Sequence, residues 1–231
     1  MEKILATSQT PKTPFAPEWS WVMGEDYIKD IDFKKIAEII LSKEKKIIKD
    51  NPPNSLYFSD GGTGLGEDSL TSRYRSFNVF TWQDEEIEKL KIQIFNLYLD
   101  FLKMCNVPRR KAWIQCWANV LRNGDQIKPH VHNIGEYCYL GGHVCVQCTD
   151  SSTVYINPMS TYQLPFNSLE NLDLKFSKNE VGKFTMFQQN IPHYTTKHIG
   201  EEERITIAFD LIVNPHRSGD GHLVLFDNLK D

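Results

Sequence analysis

No apolar run in this chain of 231 residues approaches the roughly 20 residues that a helix needs to span a bilayer, and the first residues lack the basic-then-apolar order of a secretion signal. An excess of positive charge is missing too. The 26 Lys and Arg against 30 Asp and Glu leave a formal charge of -4, which gives no bulk attraction to nucleic acid. The Lys-rich stretch from Lys43 to Lys49 is interrupted by Glu44, Ile47 and Ile48 and reads as the wet side of a helix. Cysteine is scarce: the five residues at 105, 116, 138, 145 and 148 are an odd number, which excludes complete internal pairing and favours small buried thiols. Cys145-Val146-Gln147-Cys148 has C-x-x-C spacing, but without a second pair or an adjoining helix signal it is a weak sign of zinc or redox chemistry. No internal repeat is present. These absences describe a cytosolic chain with neither membrane nor nucleic acid as a partner. At this length folding can bury roughly 70–75% of the unfolded surface, enough for a core without staples.

The N-terminal third leans to helix. Residues through Pro17 are polar and Pro-rich and are expected to be mobile. Phe33, Ile36, Ile39, Ile40 and Ile47 recur at helical spacing behind Asp32 as N-cap, and Asn51-Pro52-Pro53-Asn54 stops that helix. The Gly-rich stretch Asp60 to Gly66 fails as a phosphate cradle, because no Lys-Ser/Thr pair follows it; it reads as a surface loop or a lid. Trp19-Ser20-Trp21 is read as either packing or part of such a closure. Arg73 to Trp82 suits a strand. A second helix carries Ile87, Leu90, Ile94, Leu97, Tyr98 and Phe101 on one face, with Asp84 or Glu85 at its start.

After Pro108 the texture changes to short strand-like runs: Trp113–Leu121, Val131–Cys138, His143–Cys148, Thr153–Ile156, Lys183–Phe187 and Arg204–Val213. Turn residues such as Gly124-Asp125 separate them. Helices first and strands after predict an α+β chain. Residues 1–106 form an N-terminal helical extension packed on one sheet, and residues 107–231 form a double-stranded β-helix, or jelly roll, that carries the chemistry.

That chemistry rests on Pro129-His130-Val131-His132, on Pro192-His193 and on Arg204-Ile205-Thr206. Residues two apart on a strand share a face, so His130 and His132 can grip one ion, and His193 can supply a third imidazole. Three nitrogens suit Fe(II), Ni, Cu or Zn and leave positions for substrate and oxygen. Arg204 is placed to hold a carboxylate by a two-pronged hydrogen bond. Of the other histidines His143 opens the next strand, while His198, His216 and His222 fall where surface positions are expected.

On these lines, together with Trp117-Ala118-Asn119 and Gly182-Lys183-Phe184-Thr185-Met186-Phe187, the sequence resembles the 2-oxoglutarate- and Fe(II)-dependent oxygenase superfamily, in particular a group whose first metal motif reads H-x-H. The resemblance covers about Trp113 to Val213. It implies Fe(II) held by His130, His132 and His193, with 2-oxoglutarate held by Arg204, supported by Thr206. Asn119 and Tyr139 are further candidates for that pocket. It implies a dioxygenase that takes molecular oxygen, hydroxylates a C–H bond of a small molecule or peptide side chain, and releases succinate and CO2. His132 departs from the superfamily's usual carboxylate. A cupin spacing competes: Gly124-x5-His130-x-His132-x3-Glu136 and Gly182-x10-His193 would describe a metalloenzyme not using 2-oxoglutarate, with Glu136 as fourth ligand. Three His, Glu136 and a bidentate cosubstrate would fill an octahedral iron, so Glu136 stands off the metal in the oxygenase reading.

Overall fold

The computed structural model describes residues 1–7, 14–15, 19–52, 62–132, 138–148, 150–158, 174–213, 215 and 222–229. Two strands open the chain, β1 (Glu2–Thr7) and β2 (Ser20–Tyr27), followed by α1 (Phe33–Asp50) and α2 (Glu85–Cys105). Eight further strands follow: β3 (Ala112–Leu121), β4 (Leu140–Gln147), β5 (Ser152–Ile156), β6 (Leu174–Lys178), β7 (Lys183–Gln188), β8 (His193–Thr195), β9 (Arg204–Ile212) and β10 (Val224–Asp227). They form an antiparallel seven-stranded sheet, ordered β1-β2-β7-β4-β9-β3-β10, and a three-stranded sheet, ordered β6-β5-β8. The two sheets meet where Tyr155 of β5 packs edge-on to Phe187 of β7, with ring centroids 5.0 Å apart, and lies 5.7 Å from Trp21 of β2. Two helices laid on one sheet of a facing pair make this an α+β double-stranded β-helix.

Both helices begin and end where their capping chemistry sits. The Asp32 side chain accepts from the Lys35 amide and the Asp84 side chain from the Glu86 amide, each satisfying a donor that has no partner within its helix. Asn106, at φ 54°, closes α2 in the left-handed conformation that Asn tolerates. The apolar face of α1 buries Ile36, Ala37 and Ile40, and α1 lies over β4. Its one buried charge, Glu44, takes a two-pronged bond from Arg122 at the end of β3, with contacts of 3.0 and 2.7 Å. No helix among the described residues is long and apolar enough to cross a membrane.

Three expectations change. Residues 2–7 are a paired strand rather than a mobile lead, and β1 and β2 extend the seven-stranded sheet beyond β7. The segment read as a strand near 73–82 is instead two short 3-10 turns, Thr71–Arg73 and Val79–Thr81. Asn78 decides this locally: its side chain accepts from the Phe80 amide and donates to the Ile114 and His222 carbonyls, which pins a turn against β3. His198 is buried rather than at the surface, with Nε2 bonded to the Glu202 carbonyl at 2.8 Å; His222 is half-buried, and His216 lies outside the described residues.

The seven-stranded sheet is sided strictly by alternation. Ile114, Cys116, Ala118 and Val120 of β3 join Ile205, Ile207, Phe209 and Leu211 of β9 in the core under the helices. The intervening Trp117 and Asn119, and Arg204, Thr206 and Asp210, line a cavity on the other side. The β3/β9 register pairs Asn119 with Thr206 and Leu121 with Arg204. A slip of one residue would turn this polar set into the helix-covered core. Gly142 keeps β4 close: a Cβ there would stand 2.3 Å from the Thr185 carbonyl and 2.5 Å from the Phe209 ring.

Candidate metal centre

The three histidines arrive from two segments that backbone hydrogen bonds tie together. His130 bridges His193 at the start of β8, with N–H to carbonyl bonds of 3.1 and 3.0 Å in the two directions. The His132 amide donates to the Gln189 carbonyl at 3.0 Å. One ligand nitrogen from each ring lies within 4.8 Å of the others, and the ring centroids are 4.4 to 5.3 Å apart.

Hydrogen bonding sets which nitrogen each ring can offer. Nδ1 of His130 meets the Lys128 carbonyl at 2.9 Å, Nδ1 of His193 meets the Ile191 carbonyl at 2.9 Å, and Nδ1 of His132 meets Asp210 Oδ1 at 2.6 Å. An Nδ1–H that donates outward leaves the Nε2 lone pair for a metal. Burial drives the His193 pKa well below the ordinary histidine value, and charge on His130 and His132 lowers it further. Burial also opposes charge on His132, but the Asp210 carboxylate outweighs it and the net shift is upward.

All three histidines line one cavity of about 270 Å³, together with Arg204, Thr206, Asn119, His143 and Asp210. Arg204 is almost completely buried, and its Nε and Nη1 have no hydrogen-bond partner. Burial lowers the guanidinium pKa, with Cys145, Cys148 and Tyr155 opposing that shift. Arginine does not give up its proton, so a buried, unpaired guanidinium is costly unless an anion enters. The residues present therefore fit both groups expected here: a three-nitrogen donor set for a divalent metal, and an uncompensated cation for a carboxylate.

Asn119 lines the cavity with its Oδ1 accepting from Thr71 Oγ1 at 2.8 Å. Tyr139 does not. It packs against the large core, and its hydroxyl lies 3.4 Å from that of Tyr98, because its strand-edge position points toward α2. Glu136 lies outside the described residues, as do Asp60 and Gly61 of the Gly-rich loop. The described part of that loop reaches the site: Thr63 lines the cavity and its carbonyl accepts from the Lys128 amide at 2.8 Å. Trp21 is core, packed with Tyr155 and Phe187.

Sequence reasoning gave no site role to Asp210, Tyr74 or Trp117; the Tyr74 and Trp117 rings lie tilted with centroids 5.6 Å apart, and Trp117 sits beside His132. The signal for Asp210 is present: Arg204, Thr206, Ala208 and Asp210 stand at period 2 on one strand, so whatever face takes Arg204 takes Asp210. Nothing in the residue pattern points to Tyr74, which reaches the cavity from an irregular segment.

Residues 115–210 match the family model described as "Putative 2OG-Fe(II) oxygenase". No protein of curated function matches the sequence. Among solved structures, the fold is similar to a prolyl-4-hydroxylase from Pseudomonas putida, with 10% identity over 84% of this chain and 92% of that one at a TM-score of 0.52. It is also similar to AviO1 from Streptomyces viridochromogenes Tue57, with 10% identity over 84% and 90% of the two chains at a TM-score of 0.53. At that identity the two structures speak for the jelly-roll fold, while the family match spans all three histidines and Arg204. Over residues 115–210 the chain is thus similar to the 2-oxoglutarate- and Fe(II)-dependent oxygenases, oxidoreductases that use Fe(II) and 2-oxoglutarate.

Proposed function

We propose that this oxygenase hydroxylates an unactivated C–H bond of a small molecule or peptide side chain, with Fe(II) held by His130, His132 and His193 and 2-oxoglutarate held by Arg204. When bound, iron and cosubstrate supply the activation of molecular oxygen, coupled to loss of CO2 and formation of succinate, that such a reaction needs. The observation that carries the reading is the buried guanidinium of Arg204, unpaired at Nε and Nη1, in the same cavity as the three imidazoles. Its fork suits the distal carboxylate of the cosubstrate, and Thr206, two residues along on the same face, supports that end. Asn119, held by Thr71, is a neutral neighbour on the adjacent strand.

Asp210 answers the departure at His132. Three neutral imidazoles leave the full charge on the metal, where most superfamily members place a carboxylate on it. Here a carboxylate stands one hydrogen bond behind His132, orienting the ring and strengthening it as a ligand. Thr71, Tyr74, Trp117 and Ile127 are among the uncharged lining residues that face the substrate in this reading.

Purified without oxygen and loaded with Fe(II), the protein should develop a weak visible metal-to-ligand band on addition of 2-oxoglutarate. Succinate release should then identify the substrate from a screen of amino acids, peptides and metabolites. No band, with activity that does not depend on 2-oxoglutarate, would replace this reading with a cupin-type metalloenzyme that binds through the three histidines alone or with Glu136.

A further inference from the structure

One histidine of the cavity has no part in the metal set. His143 is buried and lines the same space as His130, His132, His193 and Arg204. Alternation along β4 fixes the face it takes. Leu140, Val144 and Val146 lie in the core under the helices, so positions 141, 143 and 145 belong to the other side of the sheet.

Two neighbours on that side locate the ring along the cavity. Gly141 marks the metal end: a Cβ there would stand 3.0 Å from Asp210 Oδ1 and 3.4 Å from His132 Nδ1. Cys145 marks the far end, opposite Thr206, which is two residues from Arg204. His143 stands between them, opposite Ala208 on β9 and Thr185 on β7. Its ring lies edge-on to Phe187, with centroids 6.4 Å apart.

A ligand that spans the site must pass over this ring. Arg204 and Asp210 are separated along β9 by roughly 20 Å of backbone, at about 3.4 Å per residue. A five-carbon diacid is far shorter. To touch both the three imidazoles and the guanidinium it must lie over the middle of that span, with Arg204 reaching back along the strand. The lining there is Ala208 and His143, and of these side chains only the imidazole can form a hydrogen bond.

We propose that His143 is a cosubstrate-binding residue, its ring N–H donating to the distal carboxylate of 2-oxoglutarate. This rests on the reading of Arg204 as the anchor of that carboxylate, and adds a second donor to it. A guanidinium fork takes one lone pair on each carboxylate oxygen, so both oxygens keep a further acceptor position. The end of the ligand turned to the metal lies instead beside Gly141, which has no side chain to offer.

The test uses the full chain loaded with Zn(II), which is redox-inert and accepts imidazole ligands, so that binding is read without turnover. Titration calorimetry compares 2-oxoglutarate with oxalate, which can chelate the metal but has no distal carboxylate. His143→Leu should lower affinity for 2-oxoglutarate by about tenfold or more, as loss of a hydrogen bond to a charged group does, and leave oxalate affinity unchanged. His143→Gln, which keeps an N–H donor, should recover much of the loss. Unchanged 2-oxoglutarate affinity in His143→Leu, or equal weakening of both ligands, overturns the proposal. Should His143→Leu fail to fold, nitrogen NMR of the wild-type protein with isotope-labelled histidine decides. The His143 ring signal, identified by its absence from His143→Gln, should shift with 2-oxoglutarate and hold its position with oxalate; the same response to both refutes the assignment. A wild-type protein that binds oxalate but not 2-oxoglutarate would remove the Arg204 reading itself, and this assignment with it.

Discussion

The two faces of the seven-stranded sheet are written into alternate residues of the same strands, yet they are built to different ends. Under the helices Ile114, Cys116, Ile205, Ile207 and Phe209 are buried apolar side chains, and the Phe184 and Phe209 rings stack 5.9 Å apart. On the other side Trp117, Asn119, Arg204, Thr206 and Asp210 face a cavity, and Arg204 keeps two buried nitrogens unpaired. The first face gains stability from every side chain it buries; the second gives stability up to hold a cation ready for an anion. The comparison teaches that the sheet separates these demands by the two-residue period, with no separate structural element for either.

Four measurements would break or sharpen that contrast. The largest effect is expected from His193→Ala, which removes the proposed ligand on the facing sheet: titration calorimetry with Fe(II) under anaerobic conditions should show no tight binding, while the urea midpoint of the metal-free protein stays close to the parent's. Retained tight binding would remove His193 from the ligand set. On the helix face Phe209→Ala should cost about 3–5 kcal/mol in denaturant unfolding, as large-to-small changes in a packed core do. Its folded fraction should bind 2-oxoglutarate normally; a matching loss of affinity would mean that the faces are not independent.

Arg204→Met should separate the two demands within one residue. Affinity for 2-oxoglutarate should fall by about 2–5 kcal/mol with metal binding little changed. The ligand-free protein should become more stable by about 1–3 kcal/mol, because an unsatisfied buried charge is replaced by a side chain that fits an apolar interior. A destabilised variant would show that the guanidinium is a structural part after all. Asp210→Asn carries the smallest effect, about 10–100-fold in metal affinity. It also has a signed pH signature. Metal binding needs neutral imidazoles, so affinity falls as pH drops through the histidine range near 6.5. Asp210 raises the pKa of His132 while burial lowers that of His193, so His132 takes a proton before His193 does. Removing that charge should move the midpoint of metal loss to lower pH even as affinity at neutral pH declines; an unmoved midpoint would mean that His132 does not control it.

Much of this was readable from the residues, and the reasons for success and failure are physical. The helices at 33–50 and 85–105 followed from apolar spacing and from Asp32 and Asp84 as caps, all local signals. The strands that carry Asn119, His193, Arg204 and Thr206 followed from their low charge and from turns between them, whereas the strand expected from Val131 is absent at His132, a bend, and His130 sits in an isolated bridge. The strand expected near 73–82 failed because Phe77, Val79 and Phe80 are equally apolar in a strand or in a pinned turn, and Asn78 chose the turn through partners at Ile114 and His222, distant in sequence. β2 went unread because its partner in the sheet, β7, lies more than 150 residues away, and β1 pairs only with β2. Tyr139, a sequence candidate for the cosubstrate pocket, meets Tyr98 in space instead.

The chain alone determined which residue types could act: two histidines two positions apart, a third beyond a proline, and an arginine on an apolar strand with a threonine two residues on. Their convergence was decided only in three dimensions, because it depends on a backbone bridge between His130 and His193 and on a β3/β9 register that sequence spacing does not specify. So was the carboxylate behind His132, which depends on segments brought side by side, a property of pairing that no single segment contains.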